Sequence, residues 1–440
     1  MDKTYSKDWY ISNYEKLEKS TAGGLNGESK TDFHKIRNEA IGLFGEIGFP
    51  TTKVEDWKYT NVSPIFNYDF SSAPAPKING IEIVRHSIKG LNAKVLVFVN
   101  GHFNEKLSSS VMDLNLLGVK IGSFHYWLKK RPEIVMEHFS KYAKLKNGFV
   151  ALNTASALDG AFVYVPDEVI IKDPIHILNL NGSDDTKALS QPRNLIVAGK
   201  NAKVKLIESY NSINSQPHFT NSVTEVFADE HSEVELYRIQ DENSNSFNVS
   251  LTQVEQRKKS VFTVYTLTTG GSLVRNDINA VLDDENCETH LYGLYITDGS
   301  QHVDNHTMID HAKPHCLSNE LYKGVLGGKS HAVFNGKVFV RPDAQKTNAY
   351  QSNKNILLSK DATIDTKPQL EIFADDVKCS HGATVGQLDD DSVFYLRSRG
   401  IGEEEAKRVL IRAFANDVFE EIKLEPVREH LNGLIQRKLK

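Results

Sequence analysis

Cysteine is nearly absent. Cys287, Cys316 and Cys379 are the three in 440 residues, and no Cys-x-x-Cys pair occurs. This excludes a disulfide framework or a closed structural zinc site legible from spacing. Long apolar runs are missing too. Stretches such as Val95-Leu96-Val97-Phe98-Val99 fall far short of the ~20 residues of a membrane helix. The opening Met1-Asp2-Lys3-Thr4-Tyr5-Ser6-Lys7-Asp8 holds no apolar signal core and does not resemble an Arg/Ser-rich, acid-poor leader. A cytoplasmic chain with free thiols is therefore expected. The formal net charge of -5 is small for this length, which argues against a nucleic-acid partner held by bulk electrostatics. Several catalytic signatures are also missing. No GxxxxGK[ST] loop is present, so the chain does not read as an ATPase; no G-x-S-x-G elbow and no His-Glu-x-x-His occurs.

What is present is a composition of 40% hydrophobic and 25% charged residues, enough for a globular core. The chain reads in three parts. Residues 1–90 are expected to be a helical region. Phe33, Ile36, Ala40, Ile41, Phe44 and Ile47 recur at helical steps before the stop signals Gly48 and Pro50. A loop is expected over 20–27, and a Ser/Ala/Pro stretch runs from Ser71 to Pro76. Residues 91–392 read as a β core in which short β-branched and aromatic runs alternate with Gly, Asn and Asp turns, apart from a helix expected over 123–146. Residues 393–440 return to helix. Ala406, Val409, Leu410, Ala413, Phe414 and Val418 form an apolar stripe that Phe419 and Ile422 extend, Pro426 stops it, and a second amphipathic segment runs from Val427 to Leu439. Such a pair can cap the core or dock a partner.

Within the core one local design recurs: a polar turn, a small or charged residue, then alternation. It is seen at Asn201-Ala202-Lys203-Val204, His231-Ser232-Glu233-Val234, Lys259-Ser260-Val261-Phe262 and Glu285-Asn286-Cys287-Glu288. The starts lie about 26–30 residues apart, in the range of repeat architectures. Each repeat can be one rung of a β-solenoid, although a sandwich with regular turns would give similar spacing.

Two clusters carry candidate chemistry. In Ala374-Asp375-Asp376-Val377-Lys378-Cys379-Ser380-His381-Gly382-Ala383-Thr384, strand periodicity puts Val377, Cys379, His381 and Ala383 on one face. Cys379 and His381 would then stand roughly 6.5–7 Å apart, able to converge on one metal or small cluster. A buried thiol and a hydrogen-bonded strand histidine explain the same residues without a ligand role. Cysteine arithmetic adds a limit, because scattered thiols cannot furnish a Cys₄ cluster site alone. The second cluster is His302-Val303-Asp304-Asn305-His306 with His311 and His315-Cys316. On a strand His302 and His306 would share a face ~13 Å apart, too far for one metal, and they read as polar residues of a solenoid face. The carboxylate runs Asp283-Asp284 and Asp389-Asp390-Asp391 read as turns.

The stretch from Leu370 through Cys379-Ser380-His381-Gly382-Ala383-Thr384 to Gly386 resembles the SufB/SufD family of iron–sulfur cluster assembly subunits, and within it the SufD branch. The resemblance extends through Gln301–His306, Asp310-His311, Pro314-His315-Cys316, Glu320–Gly324, Phe334–Lys337 and Leu396–Ile401, and to Glu55-Asp56-Trp57-Lys58-Tyr59-Thr60. It implies a right-handed parallel β-helix flanked by helical regions, in a complex with the paralogue SufB and the ABC-type ATPase SufC. It further implies that the helices around 403–422 dock SufC, and that His381 matches a proposed ligand histidine of a transient cluster at the SufB–SufD interface. Cys379 matches a neighbouring cysteine. A SufB-type chain is the nearest alternative. The preceding rung, Tyr350 to Leu357, lacks the cysteine that SufB carries, and Gly382 stands where SufB has a glutamate after the histidine. The resemblance thus implies a non-catalytic scaffold, without nucleic acid or membrane; a homodimer could reuse the same surface. The sequence is silent on a reduced flavin in the complex. The competing classes are a β-helix enzyme acting on polysaccharide and a mononuclear metal-binding protein using the 302–315 segment.

Overall fold

The computed structural model describes residues 4–22, 31–73, 76 and 78–439. The repeating unit begins at a turn. Asn201, His231, Lys259, Asn286, His315 and Lys346 all have φ between 56° and 63°, a left-handed conformation that polar residues tolerate better than branched ones. Each is followed by a buried small residue: Ala202, Ser232, Ser260, Cys287, Cys316 or Thr347. The Ser232, Ser260 and Thr347 hydroxyls donate to the carbonyls of Asp229, Arg257 and Ala344, three residues back. These residues stack into one corner of the molecule, and a strand leaves each of them.

The strands form two sheets of a parallel β-solenoid of about eight turns. The first sheet runs through Lys203–Ser212, Glu233–Asp241, Val261–Thr268, Glu288–Thr297, Leu317–Leu326, Asn348–Leu357 and Lys378–Gly386. The second runs through Phe219–Ala228, Phe247–Gln256, Leu273–Leu282, His302–His311, His331–Val340 and Thr363–Ile372. Register is kept from rung to rung, so Val204, Val234, Phe262, Thr289, Ser318, Ala349 and Cys379 form one inward column. Antiparallel pairs occur at the opposite end, where His102–Phe103 and Lys120–Ser123 join the sheets. The inward faces make one continuous apolar core from Leu96 to Ala362.

Both outer faces are partly covered. Helix Asp32–Ile47, ended by Gly48 at φ 62° as its sequence implies, shares an aromatic cluster with Trp57, Phe70 and Phe149 against Phe219, Phe247 and Leu273 of the second sheet. On the first sheet, helices Glu403–Glu420 and Glu425–Lys438 bury Ile411, Ala415, Val418, Phe419, Leu431 and Ile435 against Ile239, Tyr265, Leu267 and Leu294. The helical pair lies across a sheet face and not over the solenoid's end.

Five local expectations change. The loop over 20–27 lies mostly outside the described residues, and 20–22 end helix Thr4–Ala22. The helix over 123–146 is split into Phe124–Lys130 and Pro132–His138, since Pro132 cannot continue the first. The acidic run at 389–391 starts a helix, with the Asp389 side chain accepting from the Ser392 amide. The apolar stripe is rotated: Ala413 faces solvent and Ile411 is buried, because docking on the tyrosine-rich sheet decides the face. Pro426 opens the last helix as well as following the one before. Among the described residues no helix is long and apolar enough to cross a membrane.

Phe419 is 2% exposed at the centre of the helix–sheet contact. Phe419→Ala is expected to cost about 3–5 kcal/mol, read as a lower urea midpoint. An unchanged midpoint would mean that the helical pair does not stabilise the solenoid.

Candidate functional site

Among the described residues no strand pairs beyond the last rung. Strands Lys378–Gly386 and Thr363–Ile372 are the edges of the two sheets, each paired on one side alone. Register places Cys379 beside Ala349 and His381 beside Gln351, both on inward columns. Where earlier rungs close these columns over with another strand, here they end in the open. His381 is exposed and Cys379 half-buried. Gly382 has nothing within 4 Å of where a Cβ would stand. Cys379 packs, as Leu370 and Val377 do, against the small cluster of Val338, Val340, Ala344, Ala349 and Ala374, and burial pushes its thiol above the usual range, which keeps it neutral. Tyr350, Phe373 and Val385 are 47%, 59% and 48% exposed around the same end, and exposed apolar residues grouped at an unpaired edge mark a surface that a partner can cover.

One sulfur and one imidazole can meet a ligand arriving at this end, but they cannot enclose it. Among the described residues no three His, Cys, Asp or Glu side chains converge as a metal site. Any cluster held here takes its remaining ligands from elsewhere.

Beneath His381 lies a polar column invisible in the linear sequence. Gln351 donates to Glu320 at 2.7 Å, and Glu320 sits one rung further in. Burial raises the Glu320 carboxyl to about 7, so it exchanges a proton near neutrality. In the adjacent columns Asn353 and Asn355 bond the Tyr295 hydroxyl. Two glycines permit this crowding. A Cβ on Gly293 would lie 2.2 Å from the Tyr322 ring, and one on Gly324 would lie 2.3 Å from the Tyr295 ring. Strand alternation and rung spacing together give a hint of these columns, but pairing across rungs is needed to see them.

The histidine cluster lies elsewhere, on the outer face of the second sheet under the Glu55–Thr60 segment. Arg275 donates to Asp304 at 2.8 Å and to the Asp56 carbonyl at 2.6 Å, with its guanidinium 3.7 Å from the Trp57 ring centroid. Thr60 donates to Asp304 at 2.5 Å and therefore accepts from His302 Nε2 at 2.9 Å. His302 Nδ1 is left to accept from His331 Nδ1 at 3.1 Å, while His331 Nε2 faces Asp365 at 2.8 Å. His306 bonds Asp304 at 3.0 Å. His311 instead points inward to Ser318, and His315 occupies a turn. The group is a buried clamp that ties the N-terminal segment to the solenoid, as expected of solenoid-face residues with polar neighbours.

Comparison with known proteins accords with this architecture. Residues 6–177 match the SufBD protein N-terminal region, and residues 179–414 match the SufBD core domain of the SUF system for FeS cluster assembly. An iron–sulfur cluster assembly SufBD family protein of Synechocystis is 35% identical over 407 residues, covering 91% of this chain and 89% of that protein. The iron–sulfur cluster assembly protein SufD of Escherichia coli is 28% identical, covering 89% and 90%. The SufD of Bacillus subtilis is 27% identical, covering 92% and 93%.

The clamp makes a pH prediction. Burial lowers His302 to about 4, against the opposing pull of Asp304 and Asp365; His331 and Arg275 lower it further. An unfolded histidine titrates near ~6.5, so between those values unfolding takes up a proton that the folded chain refuses. Stability therefore rises with pH across this window and is lost as pH falls through it. His302→Gln should remove about one proton from that uptake, seen as a flatter dependence of the urea midpoint between pH 6.5 and 4. An unchanged slope would place the titration elsewhere.

Proposed function

The chain belongs to the SufBD family of iron–sulfur cluster assembly proteins, and from that premise we propose that it is a non-catalytic scaffold subunit of a SufBCD-type complex. Its open last rung joins a SufB-like paralogue, and His381 contributes a ligand to a transient cluster formed between the two chains. The cluster is cargo in this reading, and the protein keeps no resident metal. The observation that carries the proposal is the exposure of the Cys379–His381 column at two unpaired sheet edges. Unpaired edges bind by strand addition, and a ligand set that is half complete needs a second chain to finish it.

The two candidate ligands differ in readiness. His381 is exposed, and imidazole nitrogen is a suitable iron ligand. Cys379 must first lose a proton that burial holds on the sulfur. A change in the surroundings at the interface, or the arriving iron itself, would supply that drive. His381 is accordingly the primary ligand and Cys379 an auxiliary one.

We assign docking of a SufC-type ATPase to the C-terminal helices. Helix Asp390–Ser398 buries none of its residues, and Phe394 and Tyr395 are 71% and 57% exposed. It packs against helix Glu403–Glu420, whose first turn carries Glu403, Glu404 and Glu405. An exposed aromatic pair beside a charged helix start has the composition of a partner surface. Helix Glu403–Glu420 also lies on the solenoid: Lys323, buried in the first sheet, donates to the Phe414 carbonyl at 2.6 Å and pairs with Asp417. A push on the helices would thus reach the rungs through a buried contact.

His381→Ala, purified with the paralogue and the ATPase, is expected to leave the complex assembled and to lower its bound iron and sulfide several-fold. Iron, sulfide and cluster absorbance in the wild-type range would remove His381 from the ligand set.

A further inference from the structure

We propose that Cys287 and Cys316 form a two-electron redox site, a dithiol bridging adjacent rungs that a hydroperoxide converts to an internal disulfide. The two residues occupy equivalent corner positions in consecutive turns. Each follows a left-handed residue, Asn286 or His315, and each precedes one of two paired strands. The Leu317 amide donates to the Cys287 carbonyl at 2.9 Å, so the rungs are in direct register there. Neighbouring rungs stand ~4.8 Å apart, inside the ~4.4–6.8 Å that Cα atoms of a disulfide span. The sulfurs themselves converge: each lies 3.2 Å from the same atom, the carbonyl oxygen of Asp284.

The corner has no structural need for two thiols. At the same position other rungs use Ala202, Ser232, Ser260 and Thr347, and the Ser260 hydroxyl makes the same three-residue bond as Cys287. Serine would do the work of either cysteine. Sulfur differs in being oxidisable, and two sulfurs in contact differ from one in giving a reversible product. The pair is also unequal. Cys316 hydrogen-bonds to the Cys287 sulfur, which holds Cys287 below the usual thiol range, while the same contact and burial push Cys316 up. Cys287, which directly follows the exposed Glu285 and Asn286, takes the attacking role. Both side chains are buried, but Glu285 and Asn286 directly above them are exposed, so a small oxidant needs this one turn to open.

The step balances. The Cys287 sulfur attacks one peroxide oxygen, the O–O bond breaks, and the displaced oxygen leaves as water with the thiol proton. The Cys316 sulfur then attacks the resulting sulfenic sulfur. The S–S bond forms, and the sulfenic oxygen leaves as a second water with the Cys316 proton. Two thiols lose two electrons and one hydrogen peroxide becomes two waters. The inference does not depend on the assembly role of the last rung.

The test uses the full chain carrying Cys379→Ser, so that only the pair remains. It is treated with hydrogen peroxide, quenched with catalase and unfolded in N-ethylmaleimide. The expected product takes up no maleimide, is lighter by two hydrogens, shows no disulfide-linked dimer on non-reducing denaturing gels, and yields one cross-linked peptide joining residues 287 and 316; dithiothreitol restores both labels. Cys287→Ser and Cys316→Ser in the same background keep the corner hydrogen bond and should form no internal link. Two labelled thiols after oxidation, or oxygen adducts without a link, would overturn the proposal.

Discussion

Everything in this molecule depends on backbone pairing between successive rungs. In a parallel solenoid a rung buries its inner face and satisfies its amides by stacking on the next one. The pairing is continuous from Ile175 to Gly386 along the first sheet. It lines like positions into columns, so a residue's chemistry is set by what stands one rung above and below it. Buried pairs follow the same geometry. Arg238 meets Glu208 across one rung, and Arg275 meets Asp304 across another. A lone charge at any of these places would be costly to bury, while partners in adjacent rungs stabilise each other.

Stacking must also end, and the two ends are treated differently. At the N-terminal end short antiparallel strands and Leu114 of helix Met112–Leu116 close the core. At the C-terminal end no strand among the described residues closes it, and helices that could have served as a lid are spent on the face of the first sheet. An open edge invites aggregation unless it is reserved for a partner. The coincidence of that edge with Cys379 and His381 joins the fold to the proposed role. The same stacking accounts for the buried dithiol, which arises where two corner positions happen to carry sulfur.

Much of this was legible from the sequence. The turn-then-alternate pattern at Asn201, His231, Lys259 and Glu285 carries the rung, since left-handed turns favour polar residues and strands alternate. Helix Asp32–Ile47 follows from its apolar spacing and from Gly48. The shared face of Cys379 and His381 follows from a period of two. What escaped depended on contacts between distant residues. Glu320 looks like an ordinary acidic residue until Gln351 and His381 are stacked on it. Periodicity alone gives the helix at 403–420 an apolar face that includes Ala413, but packing on Tyr265 and Leu294 selects Ile411 in its place. The neighbourhood of Cys287 and Cys316 was within reach, because each sits one residue after a rung's turn residue. Along the chain the two cysteines are 29 residues apart, and only the rung period brings them together.

The central claim is that the last rung is an unfinished edge completed by a partner chain. Hydrogen exchange over residues 378–386 tests it most directly, measured on the chain alone and again with the SufB-like paralogue present. The account predicts exchange of the edge amides in the isolated chain and strong protection once the paralogue is added, with residues 233–241 in the middle of the solenoid protected in both states. Exchange at 378–386 that is the same with and without a stably bound paralogue would contradict it.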